Sequence, residues 1–259
     1  MSEHLQSQGE MLVRGVNAFE PCIRRIHADY EAGNFSDWPT IVLLHTLQAT
    51  AISIYRLLPP EEYTKEVLDK RSIASLVRNV VDTHDVLRMM GVAESAERFN
   101  LHRDILGLYI SSRMNKVQTA VDPKNARSFL AHGKKWYWDR IRKSPLYSKE
   151  MDRLKSGESI FYESRRGRVE SVCSEHSDFV MGVLADLSTY VHSIPPPIWF
   201  SSLNEMYADN KPNRDMVAVW LRVANFYLAK AYETGLSVAK YEKTAELSAF
   251  LDHHRTVFN

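Results

Sequence analysis

Apolar residues recur three and four positions apart along nearly the whole chain, and no segment sustains the alternation of a half-buried strand bounded by hairpin turns. The pattern predicts helices throughout. A first amphipathic helix is expected from Leu5 to Ala32, with an interruption near Pro21 and a stop at Gly33-Asn34. Ser36 or Asp37 is placed to cap a second helix with Pro39 in its first turn, and Pro59-Pro60 forbids its continuation past Leu58. Asp69 opens a third helix, which runs to Met90 and closes at Gly91, and a fourth runs from about Ser95 to Val117. Between Thr119 and about Ser159 a polar segment punctuated by Pro123, Gly133, Pro145 and Gly157 reads as an insertion with short helices. Periodicity resumes at Ile160 and predicts one long helix to His192, ended by Pro195-Pro196-Pro197. A helix from Asn213 or Asp215 to about Tyr241 and a short terminal helix complete the chain. The expected fold is a single all-α domain over residues 1–259, an antiparallel bundle of five or six main helices with a partly irregular basic insertion at about 119–159.

Composition narrows the class without naming an activity. The chain has 259 residues, 44% of them hydrophobic and 25% charged, which is enough to bury a sizeable core. Its formal net charge of +1 excludes a global field drawing it to nucleic acid or an anionic membrane, so any such preference is local. Cys22 and Cys173 lack zinc or redox spacing and read as small apolar side chains in a reducing compartment. The first residues show no basic and then apolar secretory pattern, and the most apolar window, Thr40 to Leu58, contains His45, Gln48 and Arg56. A cytoplasmic protein without a membrane segment is expected.

Polarity is concentrated at Arg78-Asn79-Val80-Val81-Asp82-Thr83-His84-Asp85, inside what otherwise reads as a core helix. At 100° per residue Arg78, Asp82 and Asp85 share one face, while His84 lies about 240° from Arg78. Downstream, Leu187-Ser188-Thr189-Tyr190-Val191-His192 places Ser188 and His192 on one ridge. If the two segments face each other, Arg78, Asp82, Ser188 and His192 complete a satisfied core network. The same residues alternatively form a catalytic or ligand-binding site.

Two resemblances attach to these motifs. Arg78 and Asp82 in an early apolar helix, with Leu187 to His192 before a proline-containing turn, resemble a large uncharacterised family of helical bacterial proteins known only as a domain of unknown function. That resemblance covers roughly residues 40 to 240 and implies a fold and a polar centre; the family's usual acid is glutamate where this chain has Asp82. Arg78-Asn79 followed by His84 is similar to the signature of HEPN ribonucleases, helical proteins of toxin and antiphage systems that dimerise to bring two motifs together. This resemblance implies metal-independent RNA cleavage, with His84 as acid or base and Arg78 stabilising the phosphorane. Most such signatures leave four residues between arginine and histidine, and here five intervene.

The insertion and the residues after it carry the strongest local charge. Lys134, Lys135, Arg140, Arg142, Arg165, Arg166 and Arg168, with Trp136 and Trp138 among them, combine cations with aromatic faces as single-stranded RNA binding requires. The alternative is a solvated segment whose tryptophans pack inward. No pair of Glu-x-x-His motifs, Walker loop, GxSxG elbow or dinucleotide fingerprint is present, so neither metal nor cofactor is expected. The reading that joins these features is a dimeric, HEPN-like RNA-cleaving effector of bacterial defence or toxin type, with Arg78, Asn79, Asp82, His84, Ser188 and His192 at its centre. The alternatives are a non-enzymatic helical binding or scaffold protein and a small-ligand sensor.

Overall fold

The computed structural model of the chain describes residues 3–34, 38–60, 68–91, 95–121, 126–191 and 208–255. Among these residues the regular elements are helices, and no strand occurs. Helix α1 (Glu3–Glu31) buries Leu5, Leu12, Val16, Phe19, Ile23 and Ile26, a spacing that turns one face to the core. Pro21 does not interrupt it. Pro21 and Asn17 both lie on the exposed side, where the carbonyl that proline deprives of a donor can meet water. Helix α2 (Trp38–Arg56) has Pro39 in its first turn; its expected caps, Ser36 and Asp37, lie outside the described residues.

Helix α3 (Lys70–Gly91) begins as expected, with the Asp69 carboxylate accepting from the Ser72 N–H at 3.0 Å. Gly91 plays a different part from the one expected. It is the last helical residue, and a Cβ there would come within 2.6 Å of the Val238 side chain, so glycine permits a close helix approach.

The periodic run from Ile160 is not one helix. Helix α4 (Ala96–Val121) and helix α5 (Ala126–Lys143) are followed by a 3₁₀ segment (Lys149–Ser156), then by helix α6 (Arg165–Cys173), a single 3₁₀ turn (Ser174–His176) and helix α7 (Ser177–Val191). Cys173 leaves helical geometry at φ −150°, ψ 65°. The stretch Ser174-Glu175-His176-Ser177-Asp178 offers no apolar side chain to hold that turn to a core, and its serines and acids favour a new helix start. His192 and the three prolines after it lie outside the described residues.

Helix α8 (Lys211–Ala239) is capped by Asn210, whose side chain accepts from the Asn213 N–H, and ends at Lys240 in the left-handed region, φ 57°. Val217, Trp220, Leu221, Ala224, Tyr227, Leu228, Ala231 and Tyr232 form one broad buried stripe, and Ala218, Val223, Phe226 and Ala229 extend the burial well beyond it. A helix buried over so much of its circumference must be largely enclosed, and α8 packs against α1, α2, α3, α7 and helix α9 (Ala245–Arg255).

The chain divides into two compact units, Met1–Gly91 with Val169–Asn259, and Val92–Arg168. In the second unit α4 and α5 run antiparallel, Asp104 meeting Arg140 and Gly107 meeting Tyr137. The segment expected to be irregular thus supplies an 18-residue helix, α5, with Gly133 inside it. The 3₁₀ segment covers one side of the helix pair, the Ser156 carbonyl accepting from both Ser112 Oγ at 3.2 Å and Lys134 Nζ at 2.7 Å. The division also resolves the net charge of +1. Residues 92–168 contain 17 basic and 9 acidic residues, a net +8, whereas the remainder contains 16 basic and 23 acidic residues, a net −7.

Candidate functional site

The polar centre of the first unit is assembled from α2, α3 and α7. Arg78 donates from Nη1 to Ser188 Oγ at 3.2 Å, and its Nε lies 3.7 Å from the Asp82 carboxylate. Ser188 in turn donates to the Leu184 carbonyl at 2.9 Å, so the hydroxyl links α3 to the backbone of α7. Asn79 donates to Thr50 Oγ1 at 3.3 Å and accepts from Thr83 Oγ1 at 3.4 Å, tying α2 to α3. An ion pair as open as Arg78 and Asp82 contributes about 0.3–0.5 kcal/mol; the interhelical bonds fix register more than they add stability.

His84 takes no part in that arrangement. It is 1% exposed, with Nδ1 3.2 Å from Asp85 Oδ1 and its ring edge-on to Tyr227 at 5.0 Å. The apolar register foretells this burial, because His84 continues the stripe of Ile73, Val77 and Val80 at four- and seven-residue spacing. Asp85 follows Val81 in the same way, so it joins the interior instead of the Arg78–Asp82 face. Within one chain the described geometry brings Arg78, Asp82 and Ser188 together and gives His84 a separate set of partners. His192, the remaining member of the expected network, lies outside the described residues.

A second polar cluster was not foreseen. Lys70 is fully buried, donates to Asn213 Oδ1 at 2.6 Å and lies 5.3 Å from the centre of the Tyr190 ring. Burial pulls its ammonium down to about 8, with Asp186 opposing the fall. Asp186 accepts from the Trp220 indole at 2.7 Å, and Arg214 makes a two-point pair with Asp209 at 2.5 and 2.6 Å, both side chains almost wholly enclosed. Lys70 sits three and seven residues before Ile73 and Val77, so its place on the buried stripe was available as a signal. Asp209 offers no comparable periodicity.

In the second unit the basic and aromatic residues separate into two groups. Trp138, 8% exposed, packs edge-on to Tyr147, and Arg168, equally buried, lies 3.8 Å from the Phe161 ring centre while donating to the Glu163 carbonyl. Lys134 donates to the Ser156 carbonyl. Arg140 donates from Nε to both Asp104 oxygens at 3.0 Å and stacks 4.6 Å from the Trp136 ring centre. Trp136 itself is 52% exposed, and Lys135, Arg142 and Arg166 are exposed as well, with Arg165 half-buried. At 100° per residue Lys135, Trp136, Arg142 and Lys143 fall on the outward side of α5.

Among the described residues no group of three His, Cys, Asp or Glu side chains is arranged to hold a metal ion, and no helix is long and apolar enough to cross a membrane. Comparison with protein-family models, with curated proteins and with solved structures gives no match.

Proposed function

We propose that the protein binds single-stranded RNA through the outward side of α5, and that Arg78, Asp82 and Ser188 hold helices in register. The observation that carries this reading is the concentration of charge: a net +8 within residues 92–168, with an exposed tryptophan set among exposed cations. Trp136 supplies a stacking face worth about 1–3 kcal/mol per base, and Arg140, held by Asp104, keeps a guanidinium against that ring without losing its orientation. Lys135, Arg142 and Arg166 supply phosphate contacts, which set affinity without reading sequence. Cleavage is not included in the proposal, because His84 is enclosed with Asp85 and Tyr227 while Arg78 engages Ser188 and Asp82.

The test is ultraviolet crosslinking of the full-length protein to a mixed-sequence single-stranded RNA, read by peptide mapping. Crosslinks are expected within residues 132–143. Their absence, or crosslinks confined to residues 1–91 and 169–259, would contradict the reading.

A further inference from the structure

Binding of single-stranded RNA leaves part of the basic unit's surface unexplained. On α4, Ile110, Met114 and Val117 are between 45% and 64% exposed, and aliphatic side chains offer a nucleic acid neither charge nor a stacking face. At 100° per residue the three fall within about 60° of one another, so they form one stripe. The 3₁₀ segment covers one side of the α4–α5 pair, and the stripe runs along the opposite, open side.

The antiparallel register sets α5 beside that stripe. With Asp104 meeting Arg140 and Gly107 meeting Tyr137, exposed Trp136 stands beside Ile110, and exposed Lys143 stands beside exposed Arg103. Two cations, an indole and three aliphatic side chains therefore follow one another along about 20 Å of the open side. Asp104 is neutralised by Arg140, which leaves Asp139 as the remaining acid of α4 and α5 at the edge of that side among the described residues. Whatever covers this side has to be apolar over the stripe, anionic beside it and broad enough to touch two helices. The same side of a second copy fails the second condition, since it would set cations against cations. Anionic lipid headgroups above an acyl interior meet all three, with the indole at the boundary that tryptophan favours.

We infer that the open side of the α4–α5 pair rests on an anionic lipid surface, through Ile110, Met114, Val117 and Trp136 with Arg103 and Lys143 at one end. The pair lies flat and crosses nothing: the aliphatic side chains enter the acyl boundary while the two cations stay with the lipid phosphates. The contact does not depend on RNA binding, which uses the outward side of α5. Trp136 and Lys143 border both surfaces, so RNA and lipid compete for them.

Flotation of the full-length protein without RNA, on phosphatidylcholine vesicles with and without phosphatidylserine, tests the inference. Binding is expected to be at least about tenfold stronger with phosphatidylserine, and at least about tenfold weaker at about 500 mM than at about 50 mM salt. Ile110→Gln combined with Met114→Gln keeps every charge and uses a helix-compatible residue. It should weaken vesicle binding at least about tenfold while the melting temperature and the RNA affinity hold. No binding to the phosphatidylserine vesicles, equal binding to the neutral ones, or binding that the double variant leaves intact would overturn the inference. So would a clear fall in the double variant's melting temperature, since the chain itself would then cover the stripe, or an equal loss of RNA affinity, which would assign the stripe to RNA.

Discussion

In the unit formed by residues 1–91 and 169–259, ionic groups turn inward: Lys70, His84, Asp85, Asp209 and Arg214 are all buried, and each meets a polar partner. In residues 92–168 most cations stay outside, and Trp136 stays with them, while Trp138, two positions along the same helix, goes into the core. Buried charges act locally, since each needs its own partner at hydrogen-bond distance and loses much of its value when that partner goes. Exposed charges of one sign act together, as a field that a polyanion feels before contact. The first unit therefore uses charge to specify one packing, and the second is suited to using it for recognition. A net charge of +1 for the whole chain conceals both uses.

The largest effect that would break this contrast is in the inward set. Asp209→Ala leaves Arg214 buried without its two-point carboxylate, and a loss of about 3–5 kcal/mol is expected by denaturant unfolding. A loss below about 1 kcal/mol would mean the pair is not a packing device.

The two tryptophans sharpen the contrast within one helix. Trp138→Ala should cost about 3–5 kcal/mol through the cavity it leaves, read as a fall in melting temperature. Trp136→Ala should leave the melting temperature within a degree or two of the parent. Equal losses would place both rings in the core.

A pH scan gives a smaller effect. Burial, helped by His253, pulls the His254 imidazole down to about 4 from its usual 6.5, and among the described residues neither ring nitrogen has a hydrogen-bond partner. Its folded value lies below the unfolded one, so the unfolded state binds the extra proton. Stability should be full above about pH 6.5 and fall by up to about 3 kcal/mol as pH drops toward 4. His254→Leu should flatten that window, and an unchanged profile would contradict the assignment.

Arg78→Ala has the smallest expected cost, about 1 kcal/mol, because its bond to Ser188 and its ion pair with Asp82 are both partly open to solvent. A loss above about 3 kcal/mol would put Arg78 among the fully buried charges.

Much of the scaffold was readable from residue spacing. Asp69 and Ser95 cap the helices they were expected to cap, and the apolar stripe of α3 carries Lys70 and His84 into the core by register alone. The failures have physical causes. Pro21 was expected to break α1, yet it sits on a solvated side where a lost bond is cheap. The run from Ile160 looked continuous because its apolar period spans Ser174 to Asp178, where a polar turn changes the helix. The candidate site was legible in part: Arg78, Asp82 and Ser188 do meet, because four-residue spacing and facing ridges are properties of a helix. The Lys70–Asn213 and Asp209–Arg214 contacts were not legible, since α3 meets the start of α8 only through the fold, and the loop position of Asp209 leaves no periodic trace.

The most direct measurement is the salt dependence of binding between the full-length protein and a fluorescent single-stranded RNA, by anisotropy. If about four phosphates are neutralised, log affinity should fall against log salt with a slope near −3, about fiftyfold between roughly 50 and 200 mM. Trp136→Ala should lower affinity by about fivefold or more while keeping that slope. Affinity indifferent to salt, or untouched by Trp136→Ala, would contradict recognition of RNA by the basic unit.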